Sequence, residues 1–129
     1  MLTIAYLHSK KIVHRDIKLE NVLMTSLDID NFKAKVADFG FSKMFDNQNL
    51  NQMLGSPLYM APEIIKKQVY DEKVDIWSTG VLLYILFCGK PPFVAQTKSQ
   101  VFHKIKHEQP SFDSLEWDKV NKDAKNLIK

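Results

Sequence analysis

His14-Arg15-Asp16-Ile17-Lys18-Leu19-Glu20-Asn21 decides how the rest of the chain is read. The octapeptide crowds carboxylates, an amide and the fixed cations Arg15 and Lys18 between two apolar pairs, Ile12-Val13 and Val22-Leu23. Asp16 and Lys18 are two apart, a spacing that does not share a helix face. On an extended or looped backbone the same side chains point the same way. They then converge on one small volume, as a phosphate site with a neighbouring base requires.

The octapeptide resembles the catalytic loop of protein kinases, H-R-D-x-x-x-x-N, with Asp16 as its acid and Asn21 as its amide. Three further stretches match that family in order and spacing. Ala37-Asp38-Phe39-Gly40 resembles the magnesium-binding D-F-G, and Met60-Ala61-Pro62-Glu63 resembles the A-P-E that closes the activation segment. Asp75-Ile76-Trp77-Ser78-Thr79-Gly80 resembles the start of the large central helix. The resemblance implies a mainly α fold with a few short β-strands, the large C-terminal lobe of a kinase. Residues 1–129 are expected to form one partial domain, with the β-rich small lobe and the extreme C-terminal end missing.

Composition agrees with a single core. A chain of 129 residues with 45% hydrophobic content can bury one. The net charge of +3 is mild and the lysines are scattered, which argues against nucleic-acid binding. Cys88 is the single cysteine, so no intrachain disulfide forms and a reducing, cytoplasmic setting is expected, the nucleus not excluded. The most apolar run, residues 76–88, is too short to span a bilayer, and no membrane partner is expected.

Along the chain, residues 2–8 read as the tail of a longer helix. Strands are expected at residues 22–24 and 33–36, joined by a turn rich in Asp, Asn and Ser. Residues 38–63 show little periodicity and carry many amides, including Asn47, Gln48, Asn49, Asn51 and Gln52. A structureless stretch of that length inside a compact domain is usually functional. By resemblance it is the activation segment, and Arg15 is the residue that grips a phosphate added to it. The candidate acceptors are Ser42 and Ser56, and an acid such as Asp46 is the alternative anchor. A helix over residues 73–88, capped by Asp71 and stopped by Gly89, is apolar nearly all round and should be buried on most sides. Asp75 in that helix is costly unless it accepts hydrogen bonds, and the resemblance assigns it to the backbone of the catalytic loop. His103 and His107 lie four apart on a further helix, a spacing that suits a metal, but with lysines alongside and no third ligand a solvated face is preferred. The last helix has an Asn121 cap and stops at Lys129 without a closing glycine, so both ends read as cut.

The resemblance implies the following chemistry. Asp16 accepts the hydroxyl proton of a protein substrate, and Lys18 holds the transferring phosphate, as in the serine/threonine branch. Asn21 and Asp38 supply oxygens to Mg²⁺, and Leu23 floors the adenine pocket of ATP. Each has a plainer reading as surface charge or core, weighed against four motifs in register. By the resemblance Glu63 is expected to pair with an arginine beyond the last helix, a residue that this sequence does not reach. All four glycines (Gly40, Gly55, Gly80 and Gly89) belong to other features, so no glycine-rich phosphate loop is available. These residues alone are therefore expected to be inactive, the alternative being a non-catalytic kinase-like docking or scaffold module. Gly80-Val81-Leu82-Leu83-Tyr84-Ile85-Leu86-Phe87-Cys88-Gly89-Lys90-Pro91-Pro92-Phe93 resembles the calcium/calmodulin-dependent group, whereas Gly55-Ser56-Pro57-Leu58-Tyr59-Met60 resembles the autophagy-initiating kinases. The first is favoured. No EF-hand loop is present, so a calcium-linked regulator would lie outside this chain.

Overall fold

The computed structural model describes residues 2–26, 28, 30, 31, 33–45 and 50–129. Asp46, Asn47, Gln48 and Asn49, and Leu27 and Ile29 of the first turn, lie outside the described residues.

The fold is helix-rich with two small antiparallel sheets. Helix α1 (Leu2–Ser9) leads into strand β1 (Ile12–Val13). Lys11 makes the corner in the left-handed region at φ 57°. Strand β1 pairs with β4 (Lys43–Met44), Ile12 opposite Met44 and Val13 opposite Lys43. Strands β2 (Val22–Met24) and β3 (Ala34–Val36) form the second sheet, in the register Val22↔Val36. The expected catalytic loop thus runs between β1 and β2, with a 3-10 turn over Leu19–Asn21 that the pattern did not announce. The stretch read as structureless also contains order of its own: β4, and a bridge from Leu50 to Tyr70.

Helix α2 (Pro62–Ile65) begins with proline at its first turn, where the missing N–H costs nothing. Helix α3 (Lys73–Cys88) has the expected bounds. The Asp71 carboxylate accepts from the Lys73 N–H at 2.9 Å, although the residue at the cap position itself is Glu72. Gly89 ends α3 in the left-handed region at φ 74°, its N–H returning to the Ile85 carbonyl. Helix α4 (Lys98–His107) opens on a capping box, in which Thr97 accepts from the Gln100 N–H and the Gln100 side chain accepts from the Thr97 N–H. Helices α5 (Leu115–Asp118) and α6 (Lys122–Ile128) close the chain, the second capped by Asn121.

The main core lies where α2, α3 and α4 meet β1, around Val13, Ile64, Val74, Val101 and Ile105. A second cluster joins Tyr84 and Cys88 of α3 to the fully buried Trp117 of α5. α3 is buried on most sides, as its apolar surround requires, but one stripe stays open: Ile76 (45% exposed), Leu86 and Phe87 remain in solvent. Apolarity all round a helix says that neighbours are needed; it does not supply them. No helix among the described residues is long and apolar enough to cross a membrane.

Candidate active site

The geometry is built from α3 outward. Asp75 is fully buried in the first turn of α3, and its carboxylate is spent on the loop that follows β1. Oδ2 accepts from the His14 N–H and Oδ1 from the Arg15 N–H, both at 2.8 Å. These bonds hold Arg15 in the left-handed region at φ 68°, a conformation that a non-glycine residue keeps only when its surroundings over-determine it. His8 of α1 adds a third contact, Nε2 to Asp75 Oδ2 at 3.0 Å. No periodicity announced it, because it depends on α1 lying against α3.

The His14 ring is buried and used at both nitrogens. Nδ1 lies 3.3 Å from the Asp16 N–H and Nε2 lies 3.1 Å from the Ala37 carbonyl. In this pairing Nδ1 accepts from the Asp16 N–H and Nε2 donates to the Ala37 carbonyl. The ring also meets Phe39 edge-on at 4.9 Å. One imidazole therefore ties the backbone N–H of Asp16 to the carbonyl of Ala37, the residue before Asp38.

The Asp16 side chain is the convergence point. Oδ2 accepts from Lys18 Nζ at 2.6 Å and from Asn21 Nδ2 at 3.2 Å. Oδ1 accepts from the N–H of Ser56 at 3.1 Å and from its hydroxyl at 2.9 Å. Lys18 Nζ also reaches Ser56 Oγ at 3.1 Å. Burial pushes the Asp16 carboxyl up, but the bonds from Lys18 and Ser56 outweigh it and hold the group below its ordinary value of 3.8. The Lys18 ammonium is pushed above its usual value, first by the hydrogen bond to Asp16, against burial, and then by the charges of Asp16, Glu20 and Asp38. The remaining hollow beside Arg15, Asp16 and Ser56 is about 10 Å³, the room of roughly one water.

Asn21 is buried and donates Nδ2 to both the carbonyl and the carboxylate of Asp16. Its Oδ1 has no hydrogen-bond donor among the described residues. Asp38 is exposed at φ 59°, with Oδ1 accepting from the Gly40 N–H at 3.1 Å. The two residues are tied through the backbone, the Ala37 N–H donating to the Asn21 carbonyl at 2.8 Å. A free amide oxygen and an exposed carboxylate are hard donors, the type that suits Mg²⁺. Leu23 is 54% exposed on β2. Glu20 is also exposed, in the 3-10 turn.

The larger cavity lies elsewhere. It measures about 590 Å³, sits among α2, α3, α4 and α6, and includes Glu63 and Trp77. Trp77 Nε1 is buried with no acceptor among the described residues, and Glu63 has no ion pair there. The Glu108 carboxylate on its wall pairs with Lys104 at 3.8 Å, but the Thr79 and Tyr84 hydroxyls there are bound to backbone carbonyls. Among the described residues no hydroxyl of that cavity meets a carboxylate, so volume alone does not mark the chemistry. His103 and His107 lie side by side in solvent, 4.7 Å between ring centroids, and no cluster of three metal-ligating side chains occurs among the described residues.

The family model of the protein kinase domain matches residues 1–129. The chain belongs to the protein kinase family. This kinase sequence is 47% identical over 126 residues to calcium-dependent protein kinase 5 of Plasmodium berghei, covering 97% of the chain and 22% of that relative. It is 43% identical over 135 residues to serine/threonine-protein kinase 33 of Mus musculus, covering 98% of the chain and 28% of the relative. Against calcium/calmodulin-dependent protein kinase type 1 of Macrobrachium nipponense it is 42% identical over 124 residues, 96% of the chain and 36% of the relative. The kinase chain thus resembles serine/threonine kinases of the calcium/calmodulin-dependent group, and spans between 22% and 36% of their length.

Proposed function

We propose that residues 1–129 are the large C-terminal lobe of a serine/threonine kinase domain. Completed by a small lobe, it transfers the γ-phosphoryl group of ATP to serine or threonine hydroxyls of a protein substrate. The observation that carries this reading is the meeting of Lys18, Asn21 and Ser56 on one ionised carboxylate, Asp16, at 2.6–3.2 Å. Phosphoryl transfer asks a protein chiefly for positioning and charge neutralisation.

In this reading Asp16 takes the proton of the substrate hydroxyl as its oxygen bonds to the γ-phosphorus and the bond to the β-phosphate oxygen breaks, releasing ADP. Every oxygen of Asp16 is engaged, so the substrate must displace a partner. Ser56 is the one that can yield, because its hydroxyl rotates while its N–H keeps Oδ1 in place. Lys18 faces the charge that builds on the transferring group. Asn21 Oδ1 and Asp38 are the residues that would hold Mg²⁺, which when bound neutralises phosphate charge. Leu23, exposed on β2, would floor the adenine pocket. Asp75 and His14 keep the backbone around Asp16 and Asp38 in place without touching substrate.

The four glycines lie at a turn, a loop crossing, a helix interior and a helix end, and none forms a phosphate-wrapping loop. We therefore assign the 129 residues by themselves little or no transfer activity. The names of two relatives carry calcium dependence, and a calcium-linked regulator outside these residues belongs to the same proposal. So does a cytoplasmic location, on the strength of one buried thiol without a disulfide.

The test joins this chain to the small lobe of a relative and follows phosphate incorporation from Mg-ATP into a serine peptide. Transfer should appear in the fusion, be nearly absent without the added lobe, and fall by roughly 10²–10⁴-fold in Asp16→Ala. A folded fusion as silent as its Asp16→Ala variant would leave the docking or scaffold reading in possession. A pure scaffold has no physical need for the Asp16 constellation.

A further inference from the structure

The Arg15 guanidinium is a buried charge without a countercharge among the described residues. Arg15 is 8% exposed, and no carboxylate among the described residues forms an ion pair with it. Such a group is costly unless its N–H donors find acceptors. Two neutral oxygens serve. Phe41 O accepts from Nε at 2.6 Å, and Gln52 Oε1 accepts from Nη1 at 3.2 Å.

Gln52 is held from its other side as well. The Tyr70 hydroxyl donates to the Gln52 carbonyl at 2.8 Å, and Tyr70 itself bridges to Leu50. Further along, Gly55 crosses the Arg15 carbonyl so closely that a Cβ would lie 2.7 Å from its oxygen, at φ +108°. Ser56 then bonds Asp16. Residues 52–56 are thus laced to residues 15–18 at three points, and Gln52 to Arg15 is the outermost.

We propose that Gln52 is a positioning residue whose side-chain amide is an uncharged clasp on Arg15, holding residues 52–56 against Asp16 without a phosphate. Its effect on catalysis rests on the kinase reading above; its geometry does not. A carboxamide is not a phosphoryl acceptor, so this anchor is permanent rather than switched. A phosphate placed on Ser42, or any other anion reaching Arg15, would compete with it for Nη1. The seat nevertheless prefers an anion, because a hydrogen bond between two ions is stronger than one to a neutral oxygen. An anion should therefore replace the amide once the amide is gone.

Gln52 is exposed, so substitution there does not threaten the fold. The experiment measures hydrogen exchange of the Ser56 amide in the full 129-residue chain. Gln52→Ala should speed that exchange about fivefold, the loss of one modest hydrogen bond. Gln52→Glu should restore slow exchange or improve on it. Inorganic phosphate at millimolar concentration should slow exchange in Gln52→Ala and leave the wild type unchanged, a rescue that mere loss of packing would not permit. Wild-type exchange in Gln52→Ala, or a Gln52→Ala variant that neither phosphate nor Gln52→Glu rescues, would overturn the proposal. The same variants in the fusion with a small lobe separate the two readings. If exchange responds as described while every variant is silent in transfer, the clasp stands and the kinase reading falls. If transfer is robust and exchange is indifferent to residue 52, the clasp falls alone.

Discussion

Asp16 is subject to two opposing effects, and which one wins sets the pH range of the site. Burial favours the protonated carboxyl, while Lys18 and Ser56 favour the anion and prevail. A carboxyl depressed in the folded chain contributes stability that is complete above its ordinary value of 3.8 and is lost as pH falls through the folded value. Lys18 is raised, so its share is complete below its ordinary 10.5 and lost as pH rises through the folded value. The stability difference between wild type and Asp16→Asn, followed by urea unfolding, should therefore be flat from about pH 5 to about pH 9.5 and shrink on either side. A difference that already changes between pH 6 and 8 would mean that Asp16 titrates near neutrality. At this scale the sequence was highly legible: Asp16 and Lys18 meet because a two-residue spacing off a helix sends both side chains one way. The hold of Ser56 on Asp16 was not legible, since it spans forty residues and depends on how the loop after Gln52 returns.

At the scale of elements, one carboxylate joins α3 to the loop between β1 and β2. Asp75→Ala leaves the His14 and Arg15 N–H groups buried without an acceptor, each at a cost of about 1–3 kcal/mol. The loss of His8 adds to this, so the variant should lose about 3–5 kcal/mol, a large part of the stability of a small domain. Asp75→Asn keeps one acceptor oxygen and should lose about half as much. The denaturation midpoint in urea measures both, and an unchanged midpoint in Asp75→Ala would show that the loop is held by other means. The bounds of α3 could be read directly, from Asp71 at one end and Gly89 at the other. Strand β4 could not, because Lys43 and Met44 carry no pattern of their own and become a strand only by pairing with β1. The Thr97 capping box is the opposite case: Thr97-Lys98-Ser99-Gln100 displays the signal in the sequence, a threonine followed three residues later by a glutamine.

Across the whole molecule, the apolar surface left outside the core decides how the chain behaves in solution. Ile76, Leu83 and Phe87 recur at i, i+7 and i+11 of α3, one stripe of the helix, and Leu86 beside them is 62% exposed. On the small sheets Leu23, Met24 and Met44 are exposed as well. Exposed apolar side chains in this number drive association, and a net charge of +3 opposes it only weakly. Light scattering of these 129 residues should therefore show mass rising with concentration. The dependence on salt identifies the force: sulfate strengthens apolar burial, whereas screening would loosen contacts between charges. Association should thus grow with added sulfate. Ile76→Lys combined with Leu86→Lys should reduce it without changing the helical circular dichroism, because both side chains already face solvent. A monomer that persists as concentration and sulfate are raised would mean that the exposed stripe of α3 is too small or too broken to join two copies.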